Sequence, residues 1–262
     1  MSKAPELFSD IGKKARDLLT KDFHSAQKFS FFSYSDTGLG FTSYGICKYK
    51  NTLVSSIIDS ESNVSTTLTF DEIFPSTKAI ASAKFPDHYS GKLEVQYFHD
   101  HATFTTALAL DKSPAIEFSS TVGTSAFAFG AEAGYDTTSG KLTKYAAGFT
   151  MTKADTTCSV ILGDKADIMK VAWSKYLDQS KRSAFAVEVS RRFSTNESGY
   201  ALGGSYAIDP LTTVKATINN YGKLGAVLQH EMIPKCLLSI SGEFDTAGSD
   251  RPRIGCAIAI KR

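Results

Sequence analysis

Residues Ser125–Thr152 read SAFAFGAEAGYDTTSGKLTKYAAGFTMT. In the first half, Phe127, Phe129, Ala131, Ala133 and Tyr135 alternate with Ala128, Gly130, Glu132 and Gly134. After the turn signal Thr138-Ser139-Gly140, Tyr145, Ala147, Phe149 and Met151 alternate with Lys144, Gly148, Thr150 and Thr152. A period of two places one set on each face of a pleated strand. The pair therefore predicts two antiparallel strands joined by a short turn, one face apolar and the other small or polar.

The same pattern extends in both directions. Leu93, Val95 and Tyr97 alternate with Lys92, Glu94 and Gln96; Phe185, Val187 and Val189 alternate with Glu188 and Ser190; Val214, Ala216 and Ile218 alternate with Lys215, Thr217 and Asn219. Turn signals at Asp36-Thr37-Gly38, Asp111-Lys112, Asn196 and Asp209-Pro210 punctuate the runs. Roughly 18 strands of about 8–11 residues are expected, the length of a tilted strand that crosses a bilayer. A soluble sandwich would load its outer face with charge, and open sheets rarely exceed ~10 strands. Here the polar face is mostly Ser, Thr, Gly and Asn with scattered Lys and Glu. The pattern predicts an all-β, transmembrane antiparallel β-barrel of about 18–19 strands, with one or two soluble sandwiches as the alternative.

One segment departs from period two. Pro5–Phe23, PELFSDIGKKARDLLTKDF, puts Leu7, Phe8, Ile11, Ala15, Leu18 and Leu19 on one arc at 100° per residue. Lys13, Arg16 and Lys21 take the opposite arc with Glu6, Asp10 and Asp17. Pro5 suits a first helical turn, and Gly12 is the weak point, at roughly 1 kcal/mol against Ala. The narrow stripe predicts an N-terminal amphipathic helix held on one side only, Leu7, Ile11 and Leu18 on a wall and the basic arc in water. The expected organisation is 1–24 as the helix segment and 25–262 as the barrel. The acids among its bases are unlike a cleavable transit peptide, so the helix is expected in the mature protein.

Composition excludes several classes. A net charge of +2 gives no basis for nucleic-acid binding. Cys47, Cys158, Cys236 and Cys256 form no CxxC pair, so free thiols are expected. His24, His88, His99, His101 and His230 make no ligand set, and His99 and His101 are read as solvated loop residues. No nucleophile elbow, phosphate-cradling loop or paired-carboxylate motif is present, so neither an enzyme nor a metal or other cofactor is expected. Gly203-Gly204 reads as close strand packing.

Several stretches together resemble the voltage-dependent anion channels, the mitochondrial outer-membrane porins, and in particular their plant branch. These are Leu7–Phe23 followed by the run at Lys28–Tyr34, then Ser90–Asp100 (SGKLEVQYFHD), Tyr206–Glu231, and the terminal RIGCAIAIKR. Tyr206, Asp209, Pro210, Thr212, Ala216, Asn219, Asn220, Gly225 and Leu228 fit the family's C-terminal signature, while Thr217 stands where a basic residue is expected. The resemblance implies a single barrel with the helix inside the pore. It also implies a voltage-gated, weakly anion-selective pore for ATP, ADP, phosphate and ions in the mitochondrial outer membrane.

On that reading Lys13, Arg16 and Lys21 line the constriction, and Lys48, Lys84, Lys92, Lys144, Lys170 and Lys215 point into the lumen. The family's Gly-Leu-Lys nucleotide contact aligns with Ser76-Thr77-Lys78, leaving Lys78 as a weak nucleotide contact. Expected partners are membrane lipid and small anions and nucleotides in transit, with self-association and cytosolic docking proteins left open. The alternatives are a docking platform for cytosolic proteins, with conduction secondary, and a protein-import barrel of the same architecture.

The family's known strand number is 19. Between Phe41 and Phe70 this chain offers only three alternating runs, Phe41–Lys48, Thr52–Asp59 and Asn63–Asp71, which predicts 18 strands with one lost near the N-terminal end. All hairpins read as short, so all neighbouring strands are expected to be antiparallel, and an even number closes the barrel antiparallel between Lys28–Tyr34 and Ile254–Ile260. The strand before the gap would then reverse relative to the rest.

Overall fold

The computed structural model describes residues 4–21, 23, 28–35, 44–49, 52–58, 64–87, 90–110, 113–234, 236–246 and 252–261. The turn signals at 36–38 and 111–112, with His24 and His88, lie outside these residues, as do the side chains of Cys47 and Lys48. Among the described residues, eighteen strands belong to one sheet, and no helix is long and apolar enough to cross a membrane. The contacts divide into two compact units, residues 1–8, 30–147 and 260–262 in one and 9–29 and 148–259 in the other.

The first unit carries β1 (Lys28–Ser35), β2 (Tyr44–Tyr49), β3 (Thr52–Ile58), β4 (Val64–Asp71), β5 (Thr77–Phe85), β6 (Gly91–His99), β7 (Ala102–Leu110), β8 (Ala115–Gly123) and β9 (Phe127–Asp136). It also holds the first part of β10 (Lys141–Lys153). From β2 to β9 each strand pairs antiparallel with the next. Leu93, Leu108, Ile116 and Tyr135 stand in one cross-strand row, and Gln96, Thr105, Ser119 and Glu132 in another on the opposite face. Phe104 and Phe118 stack on the apolar face at 6.5 Å.

β1 and β2 overturn the expected hairpin. They pair in parallel, Phe32 with Tyr44 through Ser35 with Cys47. The reading assumed a tight turn between them. Tyr44 needs to lie only about 10 Å back along the strand from Ser35, and the eight intervening residues can span up to about 26–29 Å. A reversal in direction is therefore not required, and β1 keeps the direction of β2. The described residues hold eighteen strands, and the expected reversal does not occur. Within the run Thr52–Asp59, Thr52–Ile58 is a full strand, β3, paired on both sides, and Asp59 lies outside the described residues.

The second unit carries the helix, the end of β10, and β11 (Thr156–Gly163), β12 (Ile168–Tyr176), β13 (Ser183–Arg192), β14 (Ser198–Asp209), β15 (Thr212–Asn219), β16 (Lys223–Ile233), β17 (Cys236–Asp245) and most of β18 (Arg253–Lys261). β11 to β17 form a run of antiparallel pairs. Their register defines two faces. Cys158, Trp173, Val187, Leu202, Ile218, Leu224 and Phe244 form one row. Thr157, Ser174, Ala186, Gly203, Thr217, Gly225 and Glu243 form a row on the other face. Along the first, Trp173 is 36% exposed and Phe244 51%. A contiguous apolar face left uncovered is at odds with water and suited to lipid.

Hairpin turns on this unit are held by local bonds. Asp167 accepts hydrogen bonds from the Ser194 amide and hydroxyl, both at 2.7 Å. The Ser194 hydroxyl, its amide and the nearby Arg192 hold the Asp167 carboxyl below the ordinary aspartate range.

The helix is shorter than Pro5–Phe23. A 3-10 turn at Phe8–Asp10 precedes α1 (Lys13–Thr20). Gly12 separates them at φ 73° as the residue capping α1. Only glycine takes this left-handed geometry without strain, so the position that looked like a weak point within a helix is its boundary.

Candidate functional site

α1 packs on β12, β13, β14 and β15. Ile11, Ala15 and Leu19, four residues apart, are its buried stripe. Ala15 and Leu19 meet Ala172 and Ala186, with Leu18 and Ala201 at the margin. Ala172, Ala186 and Gly203 lie in the polar rows, so the helix covers the polar face and leaves the apolar one uncovered. Each fully buried Leu or Ile contributes about 1.5–3 kcal/mol, which suits a helix held along one narrow stripe. Of the anchors expected, Ile11 is buried while Leu7 and Leu18 are only half-buried; Ala15 and Leu19 take the remaining contact.

Small residues make the seat. A Cβ built on Gly203 would lie 2.8 Å from Leu19 Cδ2 and equally close to Thr217 Cγ2. One on Gly225 would lie 2.9 Å from the Phe23 ring. Gly12 in turn rests over Ser159 of β11. Gly203 thus serves helix docking as well as strand packing, a role that a glycine in a strand does not announce by itself.

The basic residues separate into groups. Lys13 Nζ binds Asp10 at 2.8 Å, and the hydrogen bond and charge of Asp10 hold its ammonium above the ordinary lysine range. Arg16 Nη2 donates to the Ile11 carbonyl at 3.3 Å. Lys92 pairs with Glu117 at 3.3 Å, Lys144 with Glu132, and Lys78 with Asp71 at 3.7 Å. Lys84 ends β5 in an exposed position, its amide bonded to Ser90 Oγ at 2.9 Å. Lys170 is exposed on the polar face, across from Ser190. Lys48 lies in β2.

Of the expected set, and among the described side chains, Lys21 and Lys215 come together. They line a cavity of about 430 Å³ on one flank of α1, together with Lys14, Lys175 and Lys181. Asp17 and Asp155 are the acids on its lining, leaving three positive charges in excess. Lys14 Nζ reaches Thr157 Oγ1 at 3.4 Å, and Lys181 Nζ stands 5.7 Å above the Tyr176 ring. Lys14, Lys175 and Lys181 escaped the sequence reading. Lys175 sits at a strand end on the apolar phase and Lys181 in the β12–β13 turn, and alternation carries no signal at either kind of position. His99 and His101 face each other at 6.4 Å beside the β6–β7 turn, and no group suited to a metal occurs among the described residues.

The sequence model of the eukaryotic porin family matches residues 4–255. Over the full length of both chains, this protein is 52% identical to mitochondrial outer membrane protein porin 2 of Arabidopsis thaliana. It is 49% identical to mitochondrial outer membrane protein porin 5 of Oryza sativa subsp. japonica, over 99% of each chain. The Arabidopsis alignment runs over 275 residues against the 262 of this chain, a difference of 13, about one strand and its turn. A solved mutant of the Rh. blastica porin shares the fold, with a TM-score of 0.55 and 11% identity over 77% of this chain and 88% of that one. An apolar face turned to lipid, a polar face bearing the N-terminal helix, and a family match along nearly the whole chain lead to one conclusion: the chain belongs to the eukaryotic porins, β-barrel channels rather than enzymes, and forms a pore for metabolite diffusion in the mitochondrial outer membrane.

Proposed function

We propose that this pore is weakly anion-selective and voltage-gated, passing ATP, ADP, phosphate and small ions, with the cavity beside α1 as its selectivity element. The observation that carries the reading is the excess of three positive charges where Lys14, Lys21, Lys175, Lys181 and Lys215 meet Asp17 and Asp155. Fixed cations around confined water raise the local concentration of anions and exclude cations. Screening over a Debye length of about 8–10 Å makes the preference weak in physiological salt. The bulk metabolites that cross such a pore are polyanions, and five ammonium groups spread around a cavity suit transit better than a tight site would.

Arg16, Lys48, Lys84 and Lys170 add to the positive field of the wall in this reading. Lys13, Lys92 and Lys144 add less, because Asp10, Glu117 and Glu132 neutralise them locally. Lys78 is a weak nucleotide contact of millimolar affinity, roughly 4 kcal/mol, since a phosphate has to displace Asp71 from it. Voltage gating follows from moving the charged helix, at about 2.3 kcal/mol per charge and 100 mV across the full field. The test is single-channel recording in a planar bilayer with a potassium chloride gradient. The expected reversal potential has the sign of chloride preference and conductance falls at high voltage of either sign. A cation-preferring reversal potential would overturn the selectivity, and a conductance independent of voltage would overturn the gating.

A further inference from the structure

The other flank of α1 holds a second cavity, of about 310 Å³, with the opposite character. Leu19 and Phe23 of the helix segment, with Ala201 and Gly225 of the sheet, give it an apolar middle. Glu188 and Glu243 are its two carboxylates. Both are half-buried, and neither forms an ion pair or hydrogen bond among the described residues. Lys223, the one cation on the lining, stands directly across from Asp245 in the β16–β17 register. Two half-buried carboxylates are thus left facing an apolar cavity, which favours a cationic occupant.

The register fixes how they are spaced. Glu188 is on β13 and Glu243 on β17, four strand steps apart. The cross-strand row of Glu243 meets β13 at Ala186, two residues from Glu188, so four steps of ~4.8 Å and two residues of ~3.4 Å put the backbones up to roughly 20 Å apart. No single metal ion can bridge such a pair, since carboxylate–metal distances are about 2.0–2.6 Å. An extended molecule with a cation at each end and an apolar body between can do so.

We infer that this cavity is a binding site for a linear aliphatic diamine, one ammonium at Glu188, the other at Glu243, and the methylene chain beneath Leu19 and Phe23. The site is distinct from the lysine cavity and does not rest on the anion selectivity proposed above. An occupant in contact with Leu19 and Phe23 bears directly on the seat of the helix.

The test uses the full chain reconstituted in lipid nanodiscs, with saturation-transfer NMR and titration of the open-channel current. The probe is 1,8-diaminooctane, compared with 1,8-octanediol of the same shape without charge and with 1-aminooctane, which carries a single ammonium. The expected order is 1,8-diaminooctane at least tenfold tighter than either comparator, with E188Q and E243Q each weakening it about tenfold. Both glutamines keep the shape of the native side chain, and the wild-type ligand series needs no variant at all. Equal binding of the diol, equal binding of the monoamine, no detectable binding of the diamine, or unchanged affinity in both variants would each overturn the proposal.

Discussion

The two flanks of α1 are built by different means. On the lysine flank the charge comes from the helix itself, from the end of β12 and the β12–β13 turn, and from Lys215 on β15. On the other flank the lining comes from mid-strand positions, where Ala201 and Gly225 leave space and Glu188 and Glu243 supply charge. One helix therefore separates a strongly basic cavity from an apolar one with acidic ends. What positions both is neither charge but the seat between them, formed by Ala172, Ala186 and Gly203. The comparison teaches that the selectivity proposed above would depend on packing as much as on charge. Any change that lifts the helix from its seat removes the boundary between the flanks.

The largest expected effect follows from that. Leu19→Ala should weaken docking of α1 by about 2–3 kcal/mol, as for other buried Leu→Ala changes. Faster hydrogen exchange at Arg16–Thr20 and faster cleavage by protease in that segment are the readouts. Gly203→Ala should cost about 1–2 kcal/mol through overpacking against Leu19 and Thr217. The contrasting change is Gly242→Ala, whose added Cβ meets nothing within 4 Å. It should stay within about 0.5 kcal/mol of the native protein. Equal behaviour of the two glycine variants would break the account of the seat.

These predictions also mark what the sequence made legible. The strands were plain because alternation of Leu93-Val95-Tyr97 or Phe185-Val187-Val189 is a direct consequence of pleating. The helix arc was plain for the same reason at a different period, and Ile11, Ala15 and Leu19 all belong to it. Its length was not plain, because an apolar arc continues across Gly12 even though the backbone does not. The parallel pairing of β1 with β2 was hidden because only the ends of a connection, and not its residue types, decide direction when the link is longer than a tight turn. The seat was hidden because a glycine such as Gly203 reads alike whether a strand, a helix or a ligand approaches it. The lysine cavity was half legible. Lys21 and Lys215 followed from helical and strand phase, while Lys175 and Lys181 sit where phase has no meaning.

Smaller effects sharpen the comparison between paired and clustered lysines. Lys92→Gln and Lys144→Gln remove charges that already face Glu117 and Glu132. Surface pairs of this kind contribute about 0–1 kcal/mol, so stability should shift by less than that and reversal potential only slightly. The smallest expected effect is at the Asp167 clamp. Its carboxyl titrates below the ordinary aspartate value, so its contribution is complete above that ordinary value. The contribution fades as pH falls through the lower folded one. Exchange of the Ser194 amide should rise over that acidic window and remain flat above it, and Ser194→Ala should move the transition toward the ordinary aspartate range.

The central claim is that the lysine flank of the helix sets selectivity. The most direct measurement is the reversal potential, in a potassium chloride gradient, of two charge-reversed channels. One carries Lys175→Glu, Lys181→Glu and Lys215→Glu; the other carries Lys92→Glu and Lys144→Glu, reversed at positions outside the cavity. The account predicts that the first changes to cation preference while the second keeps its preference for chloride with a reduced magnitude. A first variant that still prefers chloride as strongly as the native channel, or a second that shifts as far as the first, would contradict it.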